Sequence, residues 1–246
     1  MSEENAERGE RIAKFLSRAG VASRRDAEVM IEAGRVRMNN TAVTHPAVFV
    51  KKGDMVLVDG KPVGEPERTR LFRYHKPEGL VTTHKDPEGR PTVFERLPPG
   101  LPRLISIGRL DLTSEGLLLL TNDGALSRQL ELPATGWLRR YRVRVHGGVS
   151  QDKIKRLADG LVVDRIKYGP IEAAIDSVQR SNTWLSMSLR EGKNREIRRV
   201  MEALELPVTR LIRVAYGPFQ LGTLPRGAAE EVNGKILREQ VPGLAK

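Results

Sequence analysis

The chain of 246 residues is predicted to be α+β, a small αα-β domain followed by a larger, mainly antiparallel α+β domain. Three observations predict this. Helical periodicity is confined to a few short segments, whereas strand-like runs recur along most of the chain. Strands and helices are interspersed without a regular βαβ rhythm, which favours helices packed on an antiparallel sheet over a doubly wound one. Finally, the polar stretch Pro62-Val63-Gly64-Glu65-Pro66-Glu67-Arg68-Thr69-Arg70 carries two prolines and reads as a linker between residues 10–61 and 71–246.

Residues 1–9 are polar, lack an apolar h-region, and are expected to be a disordered lead rather than a signal peptide. Ile12, Phe15, Leu16 and Ala19 recur at i, i+3, i+4 and i+7, an amphipathic helix over 10–19 with Gly20 as its C′ residue. Ser23 opens a second helix, and Asp26 three residues later makes a capping-box pattern. Val29, Met30 and Ala33 are expected to form the apolar face of this helix, which Gly34 ends. Arg35-Val36-Arg37-Met38 alternates as a half-buried strand, and Asn39-Asn40 can supply the positive φ values of a tight turn. Further strands are expected near 48–50 and 55–58, with a turn at Asp59-Gly60.

In the larger region, strands are expected at 71–75, 103–107, 117–121, 138–146, 160–164, 170–178, 183–190 and 208–216. Helices are expected at 124–131, 150–158, 194–204 and 235–240.

Composition narrows the function. Lys and Arg number 42 against 31 Asp and Glu, a net charge of +11 that suits a polyanionic partner, most simply nucleic acid. Cysteine is absent, which excludes disulfides, thiol catalysis and Cys-based zinc sites. His45, His75, His84 and His146 have no ligand spacing, so no metal is expected. Apolar runs are too short for a transmembrane helix, so a cytoplasmic protein without a membrane partner is expected. No dinucleotide-binding or nucleoside-triphosphate motif is present, and no cofactor is expected.

One carboxylate stands apart. Gly108-Arg109-Leu110-Asp111-Leu112-Thr113-Ser114-Glu115-Gly116 sets Asp111 in a short polar turn just before four consecutive leucines, Leu117 to Leu120. Four leucines in a row read as a buried strand or core segment. Asp111 is therefore expected at the rim of a packed core, held yet reachable, as a catalytic acid, base or nucleophile must be. An Asp in such a turn otherwise serves to cap it. Arg140-Tyr141-Arg142-Val143-Arg144-Val145 alternates so that Tyr141, Val143 and Val145 share one strand face, where a tyrosine is usually core. A third stretch, Glu191-Gly192-Lys193-Asn194-Arg195-Glu196-Ile197-Arg198-Arg199, is a basic lead into a helix.

Taken in order, these motifs resemble those of the RsuA/RluB family of RNA pseudouridine synthases, nearest its RluB branch. Residues 11 to 59 resemble an S4 RNA-binding domain, departing from its pattern at Asn40, where Gly is usual. The resemblance spans residues 11 to 242 and implies isomerisation of uridine to pseudouridine in ribosomal RNA, most directly 23S rRNA, with 16S rRNA as the alternative. It implies Asp111 as the catalytic carboxylate, acting at C1′ as nucleophile or at C2′ as base, a choice left open. It implies Arg109 on the RNA backbone or in the space left by the flipped base, Tyr141 stacked on the target base, Arg198 facing Asp111 and holding it ionised, and Leu211 packed beneath aspartate and base. Phosphate contacts are expected from Arg11, Lys14, Arg18, Arg24, Arg25 and Arg35 of the S4-like region. They are also expected from Lys76, Lys85 and Arg90 of two Gly/Pro-rich loops, and from Lys193, Arg195 and Arg199. The implied partner is ribosomal RNA or a ribosomal-subunit assembly intermediate, and the protein a monomer. The rival readings are a non-catalytic S4-domain RNA-binding or ribosome-assembly factor, which needs no aspartate in this setting, and a DNA-binding protein, which the S4-like region disfavours.

Overall fold

The computed structural model of the chain describes residues 9–132, 135–241 and 243; of the expected disordered lead at 1–9, residues 1–8 lie outside them. Contacts divide the chain into two compact units, one of residues up to Thr69 with Asn122–Gly124, the other of Arg70–Thr121 and the residues from Ala125 onward.

The first unit runs β1 (Glu10–Arg11), α1 (Ile12–Arg18), α2 (Arg24–Glu32), β2 (Val36–Met38), β3 (Thr41–Ala42), β4 (Phe49–Val50), β5 (Val56–Val58) and β6 (Lys61–Pro62). α1 starts later than its periodicity suggests because Glu10 and Arg11 are drawn into extended pairing with Val50 and Phe49. Ser23 caps α2, its side chain accepting the Asp26 N–H at 3.1 Å. Of the expected apolar face of α2, Met30 packs on the core of this unit and the other two residues do not. Val29 is 62% exposed and Ala33 is exposed, while Ala27 and Ile31 pack with Ile12 and Leu16 of α1. Both sets satisfy a helical period, and the small Ala27 is the one that suits contact with a neighbouring helix. Asn39 and Asn40 adopt φ of 48° and 64° between β2 and β3. Pro62 pairs with Leu57 and Val63 packs on this core, so the first residues of the polar stretch at 62–70 are held against this unit.

The second unit runs β7 (Leu71–Lys76), β8 (Ile105–Ile107), β9 (Glu115–Thr121), α3 (Gly124–Glu131), β10 (Arg139–His146) and α4 (Gln151–Asp159). It continues through β11 (Leu161–Val163), β12 (Ile166–Tyr168), β13 (Glu172–Gln179), β14 (Asn182–Leu189) and α5 (Glu196–Ala203). It ends with β15 (Val208–Tyr216), β16 (Phe219–Gln220), β17 (Ala229–Glu231) and α6 (Gly234–Gln240). Nine of these strands form one sheet in the order β13-β14-β10-β15-β9-β7-β17, with β16 on β15 and β8 on β9. This is the mainly antiparallel α+β architecture that the sequence predicts. The exception is β15 beside β9, a short parallel seam made by Ile212↔Glu115 and Arg213↔Gly116.

β9 is covered on both faces, which is why it reads as a run and not an alternation. Leu117 and Leu119 meet Leu126, Leu130 and Leu237 of α3 and α6, while Leu118 and Leu120 meet Phe72, Tyr74, Val93 and Leu104. All four leucines are 0% exposed, and each such burial contributes about 1.5–3 kcal/mol. On the far half of the sheet, Val143 and Val145 of β10 pack under Leu157 of α4 and Ile197, Val200 and Met201 of α5. The spacing of the α5 residues, i, i+3 and i+4, is what places that helix on the sheet.

Candidate active site

The turn before β9 is held through its backbone. Thr82 Oγ1 donates to Leu110 O at 2.8 Å, and the Gly79 N–H donates to Leu112 O at 2.8 Å. Lys76 Nζ donates to Asp111 O at 3.0 Å and Ser114 O at 2.8 Å, and Arg198 Nη2 to Thr113 O at 2.9 Å. The Ser114 N–H closes the turn on Asp111 O at 3.0 Å. Every carbonyl from 110 to 114 therefore has a donor, so this irregular segment carries no unsatisfied carbonyl that another conformation would relieve. The Asp111 side chain, 30% exposed, opens on a cavity of about 820 Å³.

Lys76 is thereby corrected. It was expected to contact phosphate, but it is fully buried, with a third bond to Pro77 O at 3.1 Å. It ends β7 pointing inward, where the turn's carbonyls need a cation. Burial pushes its ammonium down to about 8, the charges of Asp111, Glu78 and Glu115 opposing that shift. Gly116 completes the frame. At φ +106° and with an added Cβ only 2.3 Å from Arg213 O, it is the position that lets β9 and β15 close on each other.

Three side chains on β10 and β15 form the cavity wall beside Asp111. Tyr141 stands across from Arg213 in the β10–β15 register, and Leu211 precedes Arg213 by two, so all three share a sheet face. Tyr141 is half-buried and Leu211 buried.

Arg195, expected to face phosphate, is the cation beside the Asp111 side chain, with Nη1 3.8 Å from Oδ2. It precedes α5 in a left-handed conformation, φ 51°, which re-aims the basic stretch toward Asp111. Arg198, expected there instead, sits one turn into α5 and spends its guanidinium on Thr113 O and on Val208 O at 3.1 Å. It positions the turn through its backbone. Burial lowers its pKa, with Arg195 adding to that shift and Asp111 opposing it. Glu196, which the sequence did not single out, is 4% exposed on the cavity wall. Burial raises its carboxyl to about 7.

Of the remaining expected contacts, Arg109 and Lys85 are exposed on the cavity rim. Arg90 is also on it, but is paired with Asp86 at 2.8 Å and Glu88 at 3.1 Å. Lys193 lines the cavity with its ammonium on Lys167 O and Glu191. Arg199 is half-buried and not part of the lining. In the first unit, Lys14 and Arg18 pair with Glu10, and Arg35 with Asp59, whereas Arg11, Arg24 and Arg25 are exposed. Asp111 thus faces a cavity with an aromatic and an aliphatic wall and a cationic rim. That arrangement can hold a flat base against a sugar-side carboxylate and receive flanking phosphates. Among the described residues, no cluster of three His, Cys, Asp or Glu could hold a metal ion.

Residues 70–203 match the family model described as RNA pseudouridylate synthase, and residues 10–56 match the S4 domain. A Rickettsia felis protein called an uncharacterized RNA pseudouridine synthase is 47% identical over 230 residues, 94% of this chain and 100% of its own. A ribosomal large subunit pseudouridine synthase B from Yersinia pestis is 42% identical over 246 residues, covering 95% of this chain and 76% of its own. The crystal structure of a pseudouridylate synthase superposes with a TM-score of 0.66 at 24% identity, over 95% of this chain and 100% of that one, a likeness of fold. The chain therefore belongs to the RNA pseudouridylate synthase family and is an RNA pseudouridine synthase with an N-terminal S4 domain.

Proposed function

We propose that this enzyme isomerises one uridine of 23S ribosomal RNA to pseudouridine, using the Asp111 carboxylate and no cofactor. The observation that carries the reading is the turn at 110–114, whose carbonyls are all engaged while the Asp111 side chain opens on the cavity shared with Tyr141 and Leu211. The isomerisation breaks N1–C1′, joins C5 to C1′, releases the C5 proton and leaves N1 protonated from solvent. It is redox-neutral, so no electron acceptor is required. Asp111 acts on the sugar, at C1′ as nucleophile or at C2′ as base. Tyr141 and Leu211 hold the flipped base, whose extraction costs a few kcal/mol that such contacts offset. Arg195 lies nearest the carboxylate, and Arg109 and Lys85 take flanking phosphates. Arg11, Arg24 and Arg25 of the S4 unit add affinity for the RNA, free or in a subunit assembly intermediate. The protein acts as a monomer in the cytoplasm.

The large-subunit assignment is supported by the name of the Yersinia pestis relative. It is tested by incubating the protein with unmodified large- and small-subunit rRNA and mapping pseudouridine by carbodiimide-stop primer extension. One new stop on large-subunit rRNA is expected. A stop confined to small-subunit rRNA would move the substrate there.

A further inference from the structure

We infer that Arg213 is a further catalytic residue, whose guanidinium takes up the negative charge of the uracil as it leaves the ribose. The inference rests on the reading of Asp111 as the sugar-side group and Tyr141 as the base-side group. Arg213 is 3% exposed, yet it lines the cavity. Only its Nε is engaged, donating to Leu117 O at 2.7 Å. Neither terminal nitrogen has a hydrogen-bond partner among the described residues, and Nη2 is fully enclosed. No carboxylate lies within ion-pairing distance of it among those residues. The guanidinium carbon lies 5.2 Å from the centre of the Tyr216 ring, and that ring is fixed by its hydroxyl, which donates to Leu130 O at 2.9 Å.

A buried guanidinium with most of its five donors unspent is costly unless something else uses them. Its place says what. It stands opposite Tyr141 and two residues from Leu211 on the same sheet face, and the absence of a Cβ at Gly116 brings its strand against β9 beside the Asp111 turn. A base held between Tyr141 and Leu211 therefore has Arg213 as its neighbour. When N1–C1′ breaks, its electron pair passes to the uracil and spreads over N1, O2 and O4. C1′ is satisfied by a bond to Asp111 or by loss of the C2′ proton. C5 then attacks C1′, displacing the Asp111 oxygen in the first case, or adding as the protonated Asp111 returns its proton to C2′ in the second; C5 gives up its proton and N1 takes one up from solvent. Arg213 donates hydrogen bonds to a carbonyl oxygen throughout and transfers no proton, since a guanidinium stays charged. Removal from water makes that fixed charge effective.

The experiment compares single-turnover rates on target RNA carrying uridine or 5-fluorouridine at the modified position, for wild type, Arg213→Gln and Arg213→Lys. 5-Fluorouracil is the more acidic leaving group and needs less stabilisation. Arg213→Gln should slow uridine conversion about 10²–10³-fold. It should slow cleavage of the 5-fluoro substrate about tenfold less, with RNA affinity unchanged and Arg213→Lys intermediate. Equal slowing on both substrates overturns the inference and reduces Arg213 to a support for the Leu117 carbonyl. If Arg213→Gln does not fold, Arg213→Lys gives the same comparison, with a shift in the rate ratio expected and an unchanged ratio refuting. No turnover of either substrate by the wild type would overturn the underlying uridine reading and the inference with it.

Discussion

Replacing Glu196 by Gln should stabilise the protein above neutral pH and leave it unchanged in acid. Glu196 is 4% exposed, and its Oε2 accepts the Lys193 N–H at 2.9 Å. Burial is the largest cause raising its carboxyl from 4.5 to about 7; the charge of Glu191 adds to it and the Lys193 N–H opposes it. The folded state therefore keeps a proton that the unfolded chain has released. Between pH 4.5 and 7 the unfolded state binds fewer protons, so stability falls as pH rises. The favourable contribution is complete below the lower value and gone above the upper one. At about 1.36 kcal/mol per pH unit, that interval amounts to roughly 3 kcal/mol. Gln keeps an acceptor for the Lys193 N–H, can donate its amide toward Glu191, and does not titrate. Urea unfolding of both proteins from acid to mildly alkaline pH reads the difference directly. The variant should match wild type in acid and exceed it by up to about 3 kcal/mol above neutrality. A gap that does not change with pH, or one that favours wild type in alkali, refutes the argument that a protonated carboxyl is buried there.

Three further outcomes follow from the site. Gly116→Ala places a Cβ 2.3 Å from Arg213 O at φ +106°, so about 2–5 kcal/mol of stability should be lost through strain and overpacking, along with kcat; an unfolding midpoint equal to wild type contradicts the close approach. Lys76→Met strips the donor from Pro77 O, Asp111 O and Ser114 O and should cost about 1–3 kcal/mol per carbonyl left unsatisfied. It should lower kcat with RNA affinity unchanged, and a loss of affinity alone would restore Lys76 to phosphate binding. Arg195→Gly relieves a left-handed backbone, φ 51°, and should raise stability by about 1 kcal/mol while lowering activity. Thermal unfolding together with single-turnover assays checks both, and a destabilised variant would count against the strain.

The parts of this fold that show in the sequence are those set by local periodicity. α3 and β15 begin and end where their patterns do, and Leu117 to Leu120 declare a strand covered on both faces. β3, β6, β16 and β17 do not show, because strands of two or three residues are defined by their partners, which lie elsewhere in the chain. The same limit applies to the cations. Lys76, Arg195, Arg198 and Arg213 are similar letters in basic surroundings. Which of them is buried, which meets Asp111 and which keeps donors unspent depends on how β7, β9, α5 and β15 come together. The left-handed turn at Arg195 changes the phase in which the basic stretch meets the aspartate, and no periodicity carries that information. For Arg213 a signal was present. Its spacing of two from Leu211 puts both on one face of a strand, and asking what else shares that face would have found it.

The most direct measurement of the central claim is tritium release from rRNA carrying 5-tritiated uridine, made with wild type and with Asp111→Asn at enzyme concentrations that saturate the RNA. Loss of the C5 hydrogen is the atom-level mark of the isomerisation, and Asn preserves the size and position of the side chain while removing its charge. Wild type is predicted to release tritium stoichiometrically with the target uridine, and the Asn variant to bind the RNA with the same Kd and release none. Release by the Asn variant at the wild-type rate would contradict the assignment of the reaction to the Asp111 carboxylate.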